Sequence, residues 1–154
     1  MVILLDIDGV LVTEPSWKKV EIGSDGFMLF NKQSAENLAF ILSETNASVI
    51  LTTTHRINFG LEKWIEIFTL RGINIRTISK LNDKKALADM SDRATEIKEW
   101  IGKNGNEENY VIVDDDTSIN NLPSSIKKRW VVIKPSIGID EEAKHQILDI
   151  LLNK

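Results

Sequence analysis

Three pairs of residues in this 154-residue chain have the types and spacing for phosphate or metal chemistry. Asp6 and Asp8 follow the apolar run Val2-Ile3-Leu4-Leu5, with Gly9 next. Thr52 and Thr53 follow Val49-Ile50-Leu51, and Asp114 and Asp115 follow Val111-Ile112-Val113. Short apolar runs of this kind suit strands buried on both faces of a parallel sheet. Polar groups placed where such strands end lie at the carboxyl edge of the sheet, where open α/β folds bind ligands. Neighbouring carboxylates repel one another unless a cation or a proton relieves them. Acids from two strand tips make an oxygen-rich site suited to a hard cation such as Mg²⁺. Hydroxyls and free backbone N–H groups after a strand suit phosphate oxygens.

The rest of the chain must supply the strands and the helices between them. Alternating strand and helix signals predict an α/β, three-layer Rossmann-like fold with a central, mostly parallel sheet. Residues 2–7 read as the first strand. Residues 14–31 read as a small β-hairpin flap, its arms at 18–22 and 27–31 flanking Gly23-Ser24-Asp25-Gly26. Ser34 is positioned to cap a helix over 35–44, and residues 47–51 form the second strand. Leu61, Trp64, Ile65 and Phe68 recur at helical spacing, with Gly72 as a stop signal. Residues 73–78 read as a short strand, and 79–92 as a loop with one helical turn. Ser91 or Asp92 caps a helix over 94–101, residues 110–113 and 130–133 are strands, and Asp140 caps a last helix over 141–152.

Composition bounds the class. At 42% hydrophobic and 27% charged, with a formal charge of -4, the chain reads as one ordinary globular domain, 1–154. The slight acidic balance argues against a surface that coats nucleic acid generally, while leaving room for a local basic patch. With no cysteine, disulfides, zinc-thiolate sites and cysteine nucleophiles are excluded. The N-terminus shows no basic, signal-like region and no run reaches the roughly 20 apolar residues of a membrane span, so the expectation is a cytoplasmic protein without a membrane partner. No Gly-rich stretch ends in Gly-Lys-Ser/Thr, and no dinucleotide-type glycine fingerprint follows the first strand.

Other residues carry competing readings. Arg56 is placed either to hold a phosphate or nucleic-acid backbone or to make a surface ion pair, and His55 beside it to line the mouth of the site. Trp17 in the flap is placed to stack on a base or ring, or to pack under the hairpin. Trp64, Trp100 and Trp130 read as packing residues, His145 as a surface histidine, and Asp116 as solvent-facing or capping the next turn.

Taken together, these motifs resemble the haloacid dehalogenase-like (HAD) superfamily of phosphotransferases. Asp6-Ile7-Asp8-Gly9-Val10-Leu11 fits its DxDGxxL-type signature after an apolar strand. Thr52 and Asp114-Asp115 stand where its second and fourth motifs fall, and the likeness runs from residue 2 to about 134. The resemblance implies a phosphatase that works through an aspartyl-phosphate, with Asp6 as nucleophile and Asp8 as general acid/base. It implies Thr52 as a phosphoryl contact helped by the amide of Thr53; Gly9 and Arg56 are further phosphate-binding candidates beside it. It also implies Mg²⁺ held by the Asp6 carboxylate, the Asp8 carbonyl, and Asp115 ahead of Asp114. The third motif is usually a lysine. Arg93, opening the helix before the last acidic strand, takes its place here, with Lys84 and Lys85 as rivals.

A segment as short as 14–31 makes only a minimal cap, and minimally capped members leave the site open to larger substrates. The set is loosely similar to the HAD domains associated with RNA repair proteins. The expected partner is therefore a phosphorylated small molecule, nucleotide or nucleic-acid end. The competing readings are a non-catalytic phospho-acceptor or regulatory module and a phosphorylated nucleic-acid end-binding module. Response-regulator receivers place their acidic pair and acceptor aspartate differently from the Asp-Xaa-Asp and Asp114-Asp115 arrangement.

Overall fold

A computed structural model describes residues 1–13, 19–106 and 108–153. Five parallel strands form one sheet: β1 (Val2–Leu5), β2 (Ser48–Leu51), β3 (Ile78–Lys80), β4 (Tyr110–Asp114) and β5 (Trp130–Val132). Their spatial order is β3-β2-β1-β4-β5, which puts the first strand in the middle. The chain builds outwards from β1 on one side, then crosses to build on the other, so the switch of direction lies between β1 and β4.

Alternate residues of the buried strands feed two separate cores. Ile3, Leu5, Val49, Leu51, Val111 and Val113 pack with Leu38, Ile41, Trp64, Phe68, Ile147 and Leu151. Those last six belong to α1 (Lys32–Thr45), α2 (Leu61–Leu70) and α5 (Glu141–Leu152). On the opposite face Val2, Leu4, Ile50 and Ile112 pack with Ala94, Ile97, Trp100, Ile119 and Ile126. These come from α3 (Arg93–Asn104), α4 (Ser124–Lys127) and the 3-10 turn Thr117–Asn121. A sheet covered on both faces needs apolar residues at every position, which is why its strands lack polar alternation. The three-layer Rossmann-like fold expected above is the fold observed. Among the described residues, no helix is long and apolar enough to cross a membrane.

Several local expectations need correction. Asn31, not Ser34, caps α1, its side chain accepting from Ser34 N at 2.9 Å. The Ser34 hydroxyl instead accepts from Ile139 N, 105 residues away, a contact that local pattern cannot reveal. The third strand is Ile78–Lys80 rather than 73–78. Ile73 and Ile75 are buried in the helical core but pair with no strand, so their spacing reflects packing and not a ladder. Of Ser91 and Asp92 it is Asp92 that caps α3, and Asp140 caps α5 as expected.

Among the described residues the hairpin carries one antiparallel bridge, Ile22 to Met28, closed by a turn with Gly26 at φ 84°. Trp17, Lys18 and the rest of 14–18 lie outside the described residues. What remains is fastened to the body and not a free flap. Arg71, at the C-terminus of α2, donates to both Asp25 carboxylate oxygens at 2.6 and 3.0 Å. It also donates to the Phe27, Met28 and Ile67 carbonyls. A planar guanidinium with five donors is the side chain suited to such a set of acceptors.

The Arg71 hydrogen bond pulls the Asp25 carboxyl from its ordinary 3.8 down to about 2. A depressed folded value stabilises the fold above the unfolded value and is lost as pH falls. The contribution of this pair is therefore full above pH 3.8 and disappears towards pH 2. Asp25→Asn is expected to cost about 1–3 kcal/mol in urea unfolding at neutral pH. The gap from wild type should close across that acid window; an unchanged gap would show the ion pair is not the source.

Candidate active site

The register of the sheet builds the site. Leu5 pairs with Leu51 on one side and with Val113 on the other, so Asp6, Thr52 and Asp114 leave the sheet level with one another. Backbone hydrogen bonds continue through this row: Asp6 N donates to Val113 O and Thr52 N donates to Leu5 O. Carboxylate oxygens of Asp6, Asp114 and Asp115 all lie within 4.8 Å of one another. Asp6, Asp114 and Asp115 thus meet at one edge with Thr52.

Arg93 is the cation that enters this cluster. Its guanidinium lies 2.5 Å from Asp114 Oδ2 and 3.4 Å from Asp6 Oδ1. Asp92 sets that placement by capping α3, so that its first residue, Arg93, faces the strand tips. Lys84 is turned to Glu96 at 3.8 Å, and no ion pair of Lys85 occurs among the described residues. Of the three candidate cations, Arg93 is therefore the one beside the acids. Burial disfavours its charge, yet Asp114 and Asp6 outweigh that and hold it above the ordinary arginine value. Burial, with the charge of Asp114 next, pushes the Asp6 carboxyl well above its usual range, against the pull of Arg93. Burial raises the Asp114 carboxyl too, again opposed by Arg93.

The donor set fits a hard divalent cation. Three carboxylates cluster beside one guanidinium, which contacts Asp6 and Asp114, so a single side-chain cation serves a largely buried set of oxygen donors. Space is kept by Gly9, which stands at φ 77°. A Cβ there would lie 2.1 Å from Asp115 Oδ2, so any side chain would displace that carboxylate. The apolar Val10, Leu11 and Val12 fold the loop back under β1, with the N–H groups of all three donating to Ile7 O.

Asp8 is not one of the clustered acids. Its carboxylate is 46% exposed and meets His55 Nε2 at 2.8 Å. Thr52 is fully buried, its hydroxyl 3.4 Å from Asp114 Oδ2. Thr53 caps the 3-10 turn Thr54–Asn58 by accepting from His55 N. Asp116 caps the turn after β4, as anticipated.

The expectation for Arg56 is corrected: it lies neither at the mouth of the site nor at the surface. The residue is fully buried, donating to the Thr52 and Thr53 carbonyls at 2.9 and 3.1 Å. Its other terminal nitrogen reaches Glu96 Oε2 at 2.9 Å and Asn82 Oδ1 at 3.2 Å. With its terminal nitrogens engaged by the protein and no exposed surface, it has no means of gripping a phosphate. Burial draws its pKa below the ordinary arginine value, and the Glu96 charge resists that shift. Glu96 also accepts from Asn82 Nδ2 at 2.7 Å. One buried carboxylate thus ties the loop after β2, the loop after β3 and the helix carrying Arg93. Glu96 was missed in the sequence because its partner lies 40 residues away. Its one local signal is a charge on the inward face of an amphipathic helix.

A parallel sheet whose central strand ends in acids, beside a threonine tip and a buried cation, has the architecture of a HAD-type hydrolase domain. A family model described as the HAD domain in Swiss Army Knife RNA repair proteins matches residues 2–143, and the chain belongs to that family. No curated protein matches it.

The clamp makes a thermodynamic prediction. Glu96→Leu leaves the Arg56 charge buried and unpaired and is expected to cost about 3–5 kcal/mol. Combined with Arg56→Met, the two losses should fall short of additivity by about 1–3 kcal/mol in denaturant unfolding. Additive losses would mean that the two side chains stabilise the fold independently.

Proposed function

We propose that this domain is a Mg²⁺-dependent phosphomonoesterase that works through an aspartyl-phosphate on Asp6. The observation that carries this reading is the level row of Asp6, Thr52 and Asp114 at the sheet edge, with Arg93 against the acids. The Asp6 carboxylate attacks phosphorus and the ester P–O bond breaks. Asp8 gives its proton to the departing oxygen, then takes a proton from the water that attacks the same phosphorus. That second step breaks the Asp6–phosphoryl bond, releases inorganic phosphate and restores both carboxylates. The Thr52 hydroxyl and Thr53 N–H hydrogen-bond the phosphoryl oxygens, while Arg93 offsets charge spread over them. Asp6, Asp115, Asp114 and the Asp8 carbonyl are the groups that would hold Mg²⁺, whose charge allows an anionic phosphate to approach these carboxylates.

The substrate favoured is a phosphate at a nucleic-acid end. Support comes from the RNA repair proteins named in the family description and from the half-open setting of Asp8. In this reading residues 1–154 act as one domain with a minimal cap. The absence of cysteine suits a reducing compartment, and we place the protein in the cytoplasm.

Phosphate release should be compared for 3′- and 5′-phosphorylated oligoribonucleotides, nucleoside monophosphates and sugar phosphates. The oligonucleotides are expected to be preferred, EDTA to stop turnover, and Asp6→Asn to lose about 1,000-fold or more in kcat. Turnover without metal, or full activity in Asp6→Asn, would remove the mechanism. A stable phosphoryl-enzyme without turnover would point instead to a phospho-acceptor module, and tight end binding with no chemistry to a binding module.

A further inference from the structure

We propose that His55 is a positioning residue that aims the Asp8 carboxylate at the leaving oxygen, an inference that rests on the phosphatase reading. Asp8 sits just beyond the end of β1, with its side chain 46% exposed. Among the described residues its one side-chain hydrogen bond is the 2.8 Å contact with His55 Nε2. An exposed aspartate without a partner rotates freely about two side-chain bonds. A proton donor that must meet an oxygen within about 3 Å loses effectiveness with that freedom.

His55 is held where Asp8 is not. Its backbone N–H donates to Thr53 Oγ1 at 3.2 Å at the start of the 3-10 turn. The edge of its ring meets Phe27, with centroids 5.6 Å apart and planes at 88°. Phe27 is itself fixed, since its carbonyl accepts from Arg71 and its N–H donates to Asp25 Oδ1. The hairpin clamp therefore extends through Phe27 and His55 to the carboxylate of Asp8. On the far side of the ring, Asn58 Nδ2 lies 3.5 Å from Nδ1. A carboxylate can only accept, so the 2.8 Å contact has Nε2–H donating to Asp8 Oδ2.

The arrangement serves both halves of the reaction. Oδ2 accepts from His55 whether Asp8 is charged or protonated. The other oxygen is left to give a proton to the ester oxygen and later to take one from water. His55 transfers no proton in this scheme; it limits which way the carboxylate points, as a third group orients the base of a catalytic pair.

The test uses 3′- and 5′-phosphorylated oligoribonucleotides, whose alkoxide leaving groups need a proton, with Mg²⁺ and four variants. His55→Phe keeps the packing on Phe27 and removes the donor, and is expected to lower kcat about 10–100-fold with KM within about threefold. His55→Gln, whose amide nitrogen reaches the place of Nε2, should recover most of that loss. Adding His55→Phe to Asp8→Asn should slow the enzyme little further, because both act through one carboxylate. Thermal unfolding of each variant separates positioning from folding. A His55→Phe enzyme as fast as wild type, or a His55→Gln enzyme as slow as His55→Phe, overturns the proposal and leaves the phosphatase reading standing. A wild type with no metal-dependent turnover overturns that reading, and the positioning role falls with it. In that case ¹⁵N resonances of the His55 ring, compared between wild type and Asp8→Asn, still decide whether the contact exists.

Discussion

Three carboxylates brought within 4.8 Å of each other at the end of a buried sheet cannot all stay charged without a compensating cation, and this crowding governs the rest of the molecule. Arg93 supplies one positive charge from the first turn of α3, 2.5 Å from Asp114 and 3.4 Å from Asp6. It does not balance the set, and the Asp6 carboxyl stays pushed above its usual range by burial and by Asp114. Such a site is built to receive more positive charge.

Holding repelling groups together needs a frame that does not relax, and two buried arginines provide much of it. Arg56 fastens the carbonyls of Thr52 and Thr53 to Glu96, one helical turn beyond Arg93. Movement of the threonine loop relative to α3 would break a buried ion pair, so the threonine tip and the cation keep a fixed relation. Arg71 does the same for the hairpin, gathering Asp25, Phe27 and Met28 onto the end of α2. Neither arginine touches the acid cluster in any hydrogen bond described, yet both constrain the segments that surround it.

Much of this was legible along the chain. The acids and threonines could be placed because each directly follows an apolar run, and a buried parallel strand has one end at which polar residues can emerge. Asp92 and Asp140 were readable as caps because capping is a contact over three residues. Where partners are distant, the local pattern gave the wrong or an incomplete answer. Ser34 has the right type for a cap but serves Ile139, and Asn31 takes the cap. Ile73 and Ile75 alternate like a strand but are buried in the core without joining the sheet. Arg56 is charged and follows a turn, the local pattern of a surface or ligand-binding group, but its partner is a buried carboxylate 40 residues on.

The sequence by itself determined the strands whose ends carry the acids and threonines, the order of those polar endings, the absence of thiol chemistry and the residue types available for the site, because these depend on neighbours a few positions apart. Only the tertiary structure decided which tips stand side by side, that Arg93 and not Lys84 or Lys85 enters the acids, and that Asp8 answers to His55. Those outcomes depend on sheet register and on contacts between residues 20 to more than 60 positions apart. Charge and burial at such distances are properties of the packed chain, and no window along the sequence contains both partners.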